Sequence, residues 1–192
     1  GTIWNHVVGN VARARSVDSA ALQCYASELA ITDAEQAVAK GLVDSLAYGA
    51  DMDSLLAEMT AQEEPNYYAF EDYVAQSTVV DKSDNKIAVV YADGEIVDGE
   101  APQPMVGGES LASALAELRN QDDVKGVVLR VNSPGGSALA SEVIWHEMEL
   151  LRDKKPVIVS MGDMAASGGY YISCPADAIL ASPTTITGSI GV

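Results

Sequence analysis

From Lys86 onward the sequence alternates between two kinds of apolar pattern, and that alternation restricts the fold more than any other feature. "IAVVYA", "GVVLRV" and "PVIVSM" are short apolar runs of strand length, and "AILAS" is a fourth. Between them, Leu111, Leu115 and Leu118 recur at helical spacing, and Ala140, Val143, Ile144, Met148 and Leu151 mark one face of a second helix. Strands that are apolar throughout, separated by amphipathic helices, predict right-handed βαβ units. The fold class is therefore α/β, a parallel sheet covered by helices.

The first part of the chain reads differently. Residues 1–62 are rich in helix formers, as in "SVDSAALQCYASELA" and "TDAEQAVAK", with Gly41 placed to end the second helix. Asp51 or Asp53 can open a further helix through "SLLAEM". Residues 63–85 form a polar and aromatic connecting segment, in which Tyr67, Tyr68, Phe70 and Tyr73 are expected to pack onto a neighbouring element. The expected organisation is a helical segment over 1–62, a connection over 63–85, and an α/β domain from 86 to 192. The chain opens on Gly-Thr-Ile and stops within "TTITGSIGV", so it reads as an internal piece of a longer protein.

Composition closes off several function classes. The formal net charge of −17 leaves no basic stripe to neutralise phosphates, so no nucleic-acid partner is expected. Cys24 and Cys174 lie far apart without metal-ligand spacing, and neither a zinc site nor any other metal or cofactor is expected; the two thiols are read as unpaired. No apolar run approaches the length of a membrane span.

The chemistry concentrates where strands end. In open α/β sheets, sites form beyond the carboxyl ends of the strands. Two loops leave such ends here: "NSPGG" after Val131, and "GDMAASGG" after Met161, where the apolar run breaks off at Gly162. The second loop carries one hydroxyl, Ser167, among Ala165, Ala166, Gly168 and Gly169. A core position would want volume instead, and a simple turn needs only the glycines. Small neighbours suit a nucleophile that a peptide backbone must approach. Backbone N–H groups of Gly136 and Gly168 are the candidates to hold the oxyanion that attack on a carbonyl creates.

A serine nucleophile needs a base. His146 falls on the outer helix face beside Glu142 and Glu149, and His6 carries no supporting pattern. The alternative is a lysine whose pKa is depressed by burial. Lys40, Lys82, Lys86, Lys125, Lys154 and Lys155 all sit in polar or element-end contexts.

"LRVNSPGGS", then "GDMAASGGYYIS", then "TGSIGV" closely resemble the motifs of the signal peptide peptidase A (protease IV) family, over essentially the whole chain. The resemblance implies the ClpP/crotonase-type fold, present as two tandem repeats in the larger members. "AVAKGLVDSLAYG" is similar to the end of the first repeat, and residues from about 86 to the start of the second. It implies Ser167 as nucleophile and Gly135 and Gly136 as the oxyanion loop, with Gly168 giving the second amide. Ser189 matches the serine that hydrogen-bonds a catalytic lysine, which in tandem-repeat members belongs to the first repeat, upstream of Gly1. The chain alone is then expected to be inactive. The resemblance further implies a membrane-associated serine endopeptidase of a Ser-Lys dyad. It degrades hydrophobic peptides, namely cleaved signal peptides, at the bacterial inner membrane, with its catalytic part facing the periplasm. Homo-oligomers, and membrane association through a segment outside this chain, are implied too. The competing readings are a crotonase-like acyl-CoA enzyme, in which Ser167 would have no role, and a non-catalytic assembly module.

Overall fold

The computed structural model describes residues 2–63, 66–77, 83–102 and 104–191. They divide into two compact units, residues 1–81 and residues 82–192.

The first unit is helical: α1 (Thr2–Arg15), α2 (Ser19–Ser27), α3 (Ala34–Ala39), α4 (Met52–Thr60) and α5 (Phe70–Ser77). Short polar side chains start the helices. Asp18 accepts from the Ala20 N–H, and Asp33 from the Gln36 N–H at 2.8 Å, each satisfying a first-turn donor. Gly41, at φ +72°, follows α3. Tyr67, Tyr68, Phe70 and Tyr73 do not pack inward as expected, being 63–75% exposed. Tyr67 is held by its polar tip, which donates to the Asp53 carboxylate, rather than by its ring. Among the described residues no helix is long and apolar enough to cross a membrane.

The second unit is a parallel sheet with helical crossovers. Its elements are β1 (Lys86–Asp93), β2 (Ile96–Val97), β3 (Val106–Gly107), α6 (Gly108–Asn120), β4 (Val124–Ser133), α7 (Ala138–Arg152), β5 (Val157–Ala166), α8 (Gly168–Tyr171), β6 (Ala178–Leu180) and β7 (Ile186–Gly188). The order is β1-β4-β5-β6, all parallel, with β7 pairing the far half of β5. β2 and β3 form a separate parallel pair.

Core residues come from one side of the sheet. Val127, Leu129, Val131, Val157 and Val159 are fully buried beneath Leu115 of α6 and Ile144, Met148 and Leu151 of α7. Each such side chain stabilises the fold by roughly 1.5–3 kcal/mol through lost water contact. Val143, expected on the buried face of α7, is 38% exposed at its edge. The opposite face of the sheet keeps Ile87, Val89 and Tyr91 more than half exposed, so the helices cover one face rather than both.

The strand read as ending at Gly162 continues to Ala166. It does so through a bulge. Val131 pairs with Met161, but the next pair is Ser133 with Ala165, so β5 advances four residues while β4 advances two. The apolar run stops at Gly162 because the bulge begins there, and pairing resumes beyond it.

Candidate active site

Beyond the bulge, β5 delivers the chain to Ser167 at the junction with α8. Ser167 has φ +51° and ψ −120°, a conformation that L-residues with a Cβ rarely adopt. Its surroundings hold it there. The Ser167 N–H donates to the Gly188 carbonyl at 2.9 Å, and the Ser167 carbonyl accepts from the Tyr171 N–H at 2.9 Å. The half-buried residue thus links the end of β7 to the first turn of α8.

The "NSPGG" loop lies against this junction. Gly135 is so close that a Cβ added to it would fall 2.6 Å from the Gly168 nitrogen and 2.8 Å from the Ser167 Cβ. Gly136 is held from the other side by a parallel bridge to Ile96 of β2. A Cβ on Gly136 would meet the Ile96 carbonyl oxygen at 2.0 Å, and its φ of +152° excludes side chains as well. The bridge is built from the Gly135 carbonyl, which accepts from Ile96, and the Ser137 N–H, which donates to Ile96. The Gly136 N–H is left outside it. The Gly168 N–H, at the first residue of α8, has no partner within that helix. Two donors on adjacent loops thus stay outside the regular ladders.

Ser167, Gly136, Gly168 and Ser189 line one cavity of about 430 Å³. Gly135 sits behind the first three as their spacer. Ser189, also at φ +51°, enters from the segment after β7. The remaining wall is mostly apolar: Ala138, Tyr170, Tyr171, Cys174 and Ile190. Sequence reading missed this wall, and missed Ser141. The Ser141 hydroxyl donates to the Ser137 carbonyl at 2.7 Å and faces Gly168, where an added Cβ would come within 2.4 Å of it. The i, i+4 spacing of Ser137 and Ser141 was the available signal. Tyr171 is fixed by stacking on Trp145, with centroids 5.8 Å apart and planes 9° from parallel. Its hydroxyl donates to Glu142, and that bond to a carboxylate raises the Tyr171 pKa.

No described histidine or lysine joins the cavity lining. His146 is exposed on α7, in a separate shallow cavity with Glu147 and Ala112. His6 bonds Asn10 within α1. Lys40 lies over the Tyr25 ring at 4.5 Å. Lys86 pairs with Asp123 at 2.6 Å, Lys125 donates to the Asp122 carbonyl, Lys154 to Asn120, and Lys155 to the Leu118 carbonyl at 2.6 Å. Lys82 lies outside the described residues. Cys24 and Cys174 are both free thiols, and both are exposed. Among the described residues no group of three or more His, Cys, Asp or Glu side chains could hold a metal ion.

Comparison with known proteins relates the chain to peptidases. Residues 149–192, which carry Ser167, Gly168 and Ser189, match the model of peptidase family S49. The whole chain is 42% identical to Protease 4 of Salmonella typhi, covering 33% of that protein, and 42% identical to Protease 4 of Haemophilus influenzae, covering 34%. The chain is similar to members of peptidase family S49. The chain is also 37% identical, over 79% of its length and 24% of the relative's, to the chloroplastic serine protease SPPA of Arabidopsis thaliana. It spans about a third of the length of the Protease 4 relatives. Among solved structures it is similar to a variant of the 1510-N membrane-bound stomatin-specific protease, with a TM-score of 0.43 and 23% identity, over 55% of this chain and 47% of that one. A ClpP1 variant from Listeria monocytogenes aligns with a TM-score of 0.38 and 24% identity, over 46% of each chain.

Proposed function

We propose that this chain carries the nucleophile half of a serine peptidase that acts through a Ser-Lys dyad. The observation that carries the reading is the junction itself: a serine held at φ +51° between two glycine-bearing loops, facing a largely apolar cavity. In this mechanism Ser167 Oγ attacks the carbonyl carbon of a peptide bond. As the C–O bond forms, the carbonyl oxygen gains negative charge, which the N–H groups of Gly136 and Gly168 receive as hydrogen-bond donors. The Ser167 proton passes to a neutral lysine amine from chain outside these residues, and then to the departing amine as the C–N bond breaks. Ser189 holds that lysine by a hydrogen bond to its hydroxyl. Water then hydrolyses the acyl-enzyme. The partners of the described lysines support an external base, since each is engaged elsewhere.

The apolar wall suits hydrophobic peptides, and the Protease 4 and SPPA relatives support a peptidase. The substrates we propose are cleaved signal peptides, degraded on the periplasmic side of a bacterial inner membrane by a homo-oligomer whose membrane attachment lies outside this chain. Residues 1–62 then close the preceding repeat, residues 63–85 connect, and residues 86–192 begin the nucleophile-bearing repeat. The test is to treat the full-length protein with a serine-directed fluorophosphonate and map the adduct. Labelling at Ser167, lost together with hydrolysis of a hydrophobic peptide, is the expected result. Labelling elsewhere, with Ser167 unmodified and hydrolysis blocked, would overturn the reading.

A further inference from the structure

The β5 bulge has a side chain inside it. Where β4 and β5 fall out of step, between the Val131–Met161 and Ser133–Ala165 pairs, the β4 residue is Asn132. Its Oδ1 accepts from the Met164 N–H at 3.2 Å, and its Nδ2 donates to Asp93 Oδ1 on β1 at 3.0 Å. The amide therefore bonds to both neighbouring strands at once. Gly162 makes room for it: a Cβ there would come within 3.0–3.2 Å of Asn132 Cβ, Oδ1 and Cγ.

We infer that Asn132 is a positioning residue for the nucleophile, an inference that rests on Ser167 being the attacking group. An extra two residues in β5 leave the Met164 N–H facing no backbone partner on β4, and a half-buried donor inside a sheet needs one. The Asn132 carbonyl oxygen takes that place. With Met164 fixed, Ala165 regains register against Ser133, and Ser167 follows two residues later against the Gly135 loop. The site requires an acceptor on one side and a donor on the other. A neutral amide has both, whereas a carboxylate keeps the acceptor and would confront Asp93 with like charge. Tyr91 and Asp93 from β1, Arg130 from β4 and Asp163 from β5 line the same small cavity, so the introduced charge would have one cation and two acids for neighbours. Misplacing a reacting group by about 1 Å can cost on the order of 100-fold in rate.

Three variants of the full-length protein test this, with Ser167→Ala as the control for the nucleophile itself. Asn132→Asp should lower kcat by about 10- to 100-fold with little change in KM, and slow phosphonate labelling of Ser167 in proportion. Adding Asp93→Asn to it restores a donor opposite the carboxylate and should recover most of the lost kcat. Gly162→Ala keeps every hydrogen-bonding atom but presses on the amide, and should lower kcat several-fold with KM preserved. If Asn132→Asp does not fold, Gly162→Ala decides alone. Parent-like kcat and labelling in Gly162→Ala, or in a folded Asn132→Asp, would overturn the inference, as would a failure of the double variant to exceed the single. Hydrolysis surviving in Ser167→Ala would instead overturn the nucleophile reading, a separate outcome.

Discussion

At the N-terminal ends of the strands, charged side chains are matched with partners. Lys86 pairs with Asp123, and Lys125 and Lys155 donate to the Asp122 and Leu118 carbonyls. Among the described residues, none in the turns entering β4, β5 or β6 has positive φ. At the C-terminal ends the material changes. Gly135, Gly136, Ser167, Gly188 and Ser189 all have positive φ, the hydroxyls face a cavity, and no described lysine lies there. Conformations of this kind at non-glycine residues cost of order 1–3 kcal/mol each and persist only where the surroundings impose them. One end of the sheet is therefore built to close turns at low cost, and the other holds two serines in conformations that serve no turn. The difference separates stability from the proposed chemistry along a single set of strands, and the two should respond separately to substitution.

The strongest separation is expected at Ser167. Ser167→Ala in the full-length protein should lower kcat on the order of 10⁴- to 10⁶-fold, because the proposed attacking atom is removed. Stability should change by no more than about 0.5 kcal/mol, since the half-buried hydroxyl contributes little to packing. Steady-state kinetics beside thermal melting reads both. A variant that loses stability while keeping kcat would reverse the comparison.

Gly136→Ala should damage both properties, because its backbone carries the bridge to Ile96 and the proposed oxyanion donor. The added methyl would strike the Ile96 carbonyl at 2.0 Å, so the bridge to β2 must open and the Gly136 N–H must move. Losing one oxyanion donor costs about 10²–10³ in kcat. A retained kcat with a lowered Tm would assign Gly136 to structure alone.

Ser189→Ala is the gentler test of the same end. Removing one neutral hydrogen bond to the proposed lysine should cost about 1 kcal/mol in the barrier, roughly five- to tenfold in kcat, and alter the pH–rate profile. An unchanged profile and unchanged kcat would remove Ser189 from the mechanism.

Much of this was legible in the residues because periodicity reports burial. The runs of β4 and β5, the Leu111–Leu115 stripe and the Ala140–Leu151 face apart from Val143 come from how side chains meet a core, and each lies where its spacing places it. Ser167 among small residues was visible for the opposite reason, as a polar group where neither volume nor a turn needed one. The bulge was not visible. The side chain bonded inside it, Asn132, lies thirty residues before Gly162 in the chain, and a local pattern cannot show a strand that is out of step with its neighbour. The cavity wall was hidden likewise, since Ala138, Tyr171 and Ile190 come from three segments that meet only in the folded sheet. The exposure of Tyr67, Tyr68, Phe70 and Tyr73 also went against the apolar expectation, because aromatic composition says nothing of what lies opposite a ring.

The smallest expected effect lies at the paired end and concerns pH. The Lys86 ammonium, hydrogen-bonded to Asp123 at 2.6 Å, holds the Asp123 carboxyl below its ordinary range. A carboxyl with a depressed folded-state pKa adds stability that is fully present above its unfolded pKa of about 3.9, and loses it as pH falls through the folded value. The pair is exposed on both sides, so salt should screen it and its contribution should be slight. Asp123→Asn should therefore lower Tm slightly at neutral pH and low salt. The gap to the parent should close as pH falls below the ordinary carboxyl range and the parent's own carboxyl is protonated. It should also narrow at about 1 M salt. Peptide hydrolysis at neutral pH should not change, because the substitution lies at the strand ends opposite Ser167. A fall in kcat without a fall in Tm would show that the two ends are coupled, and that the division between stability and chemistry along this sheet does not hold.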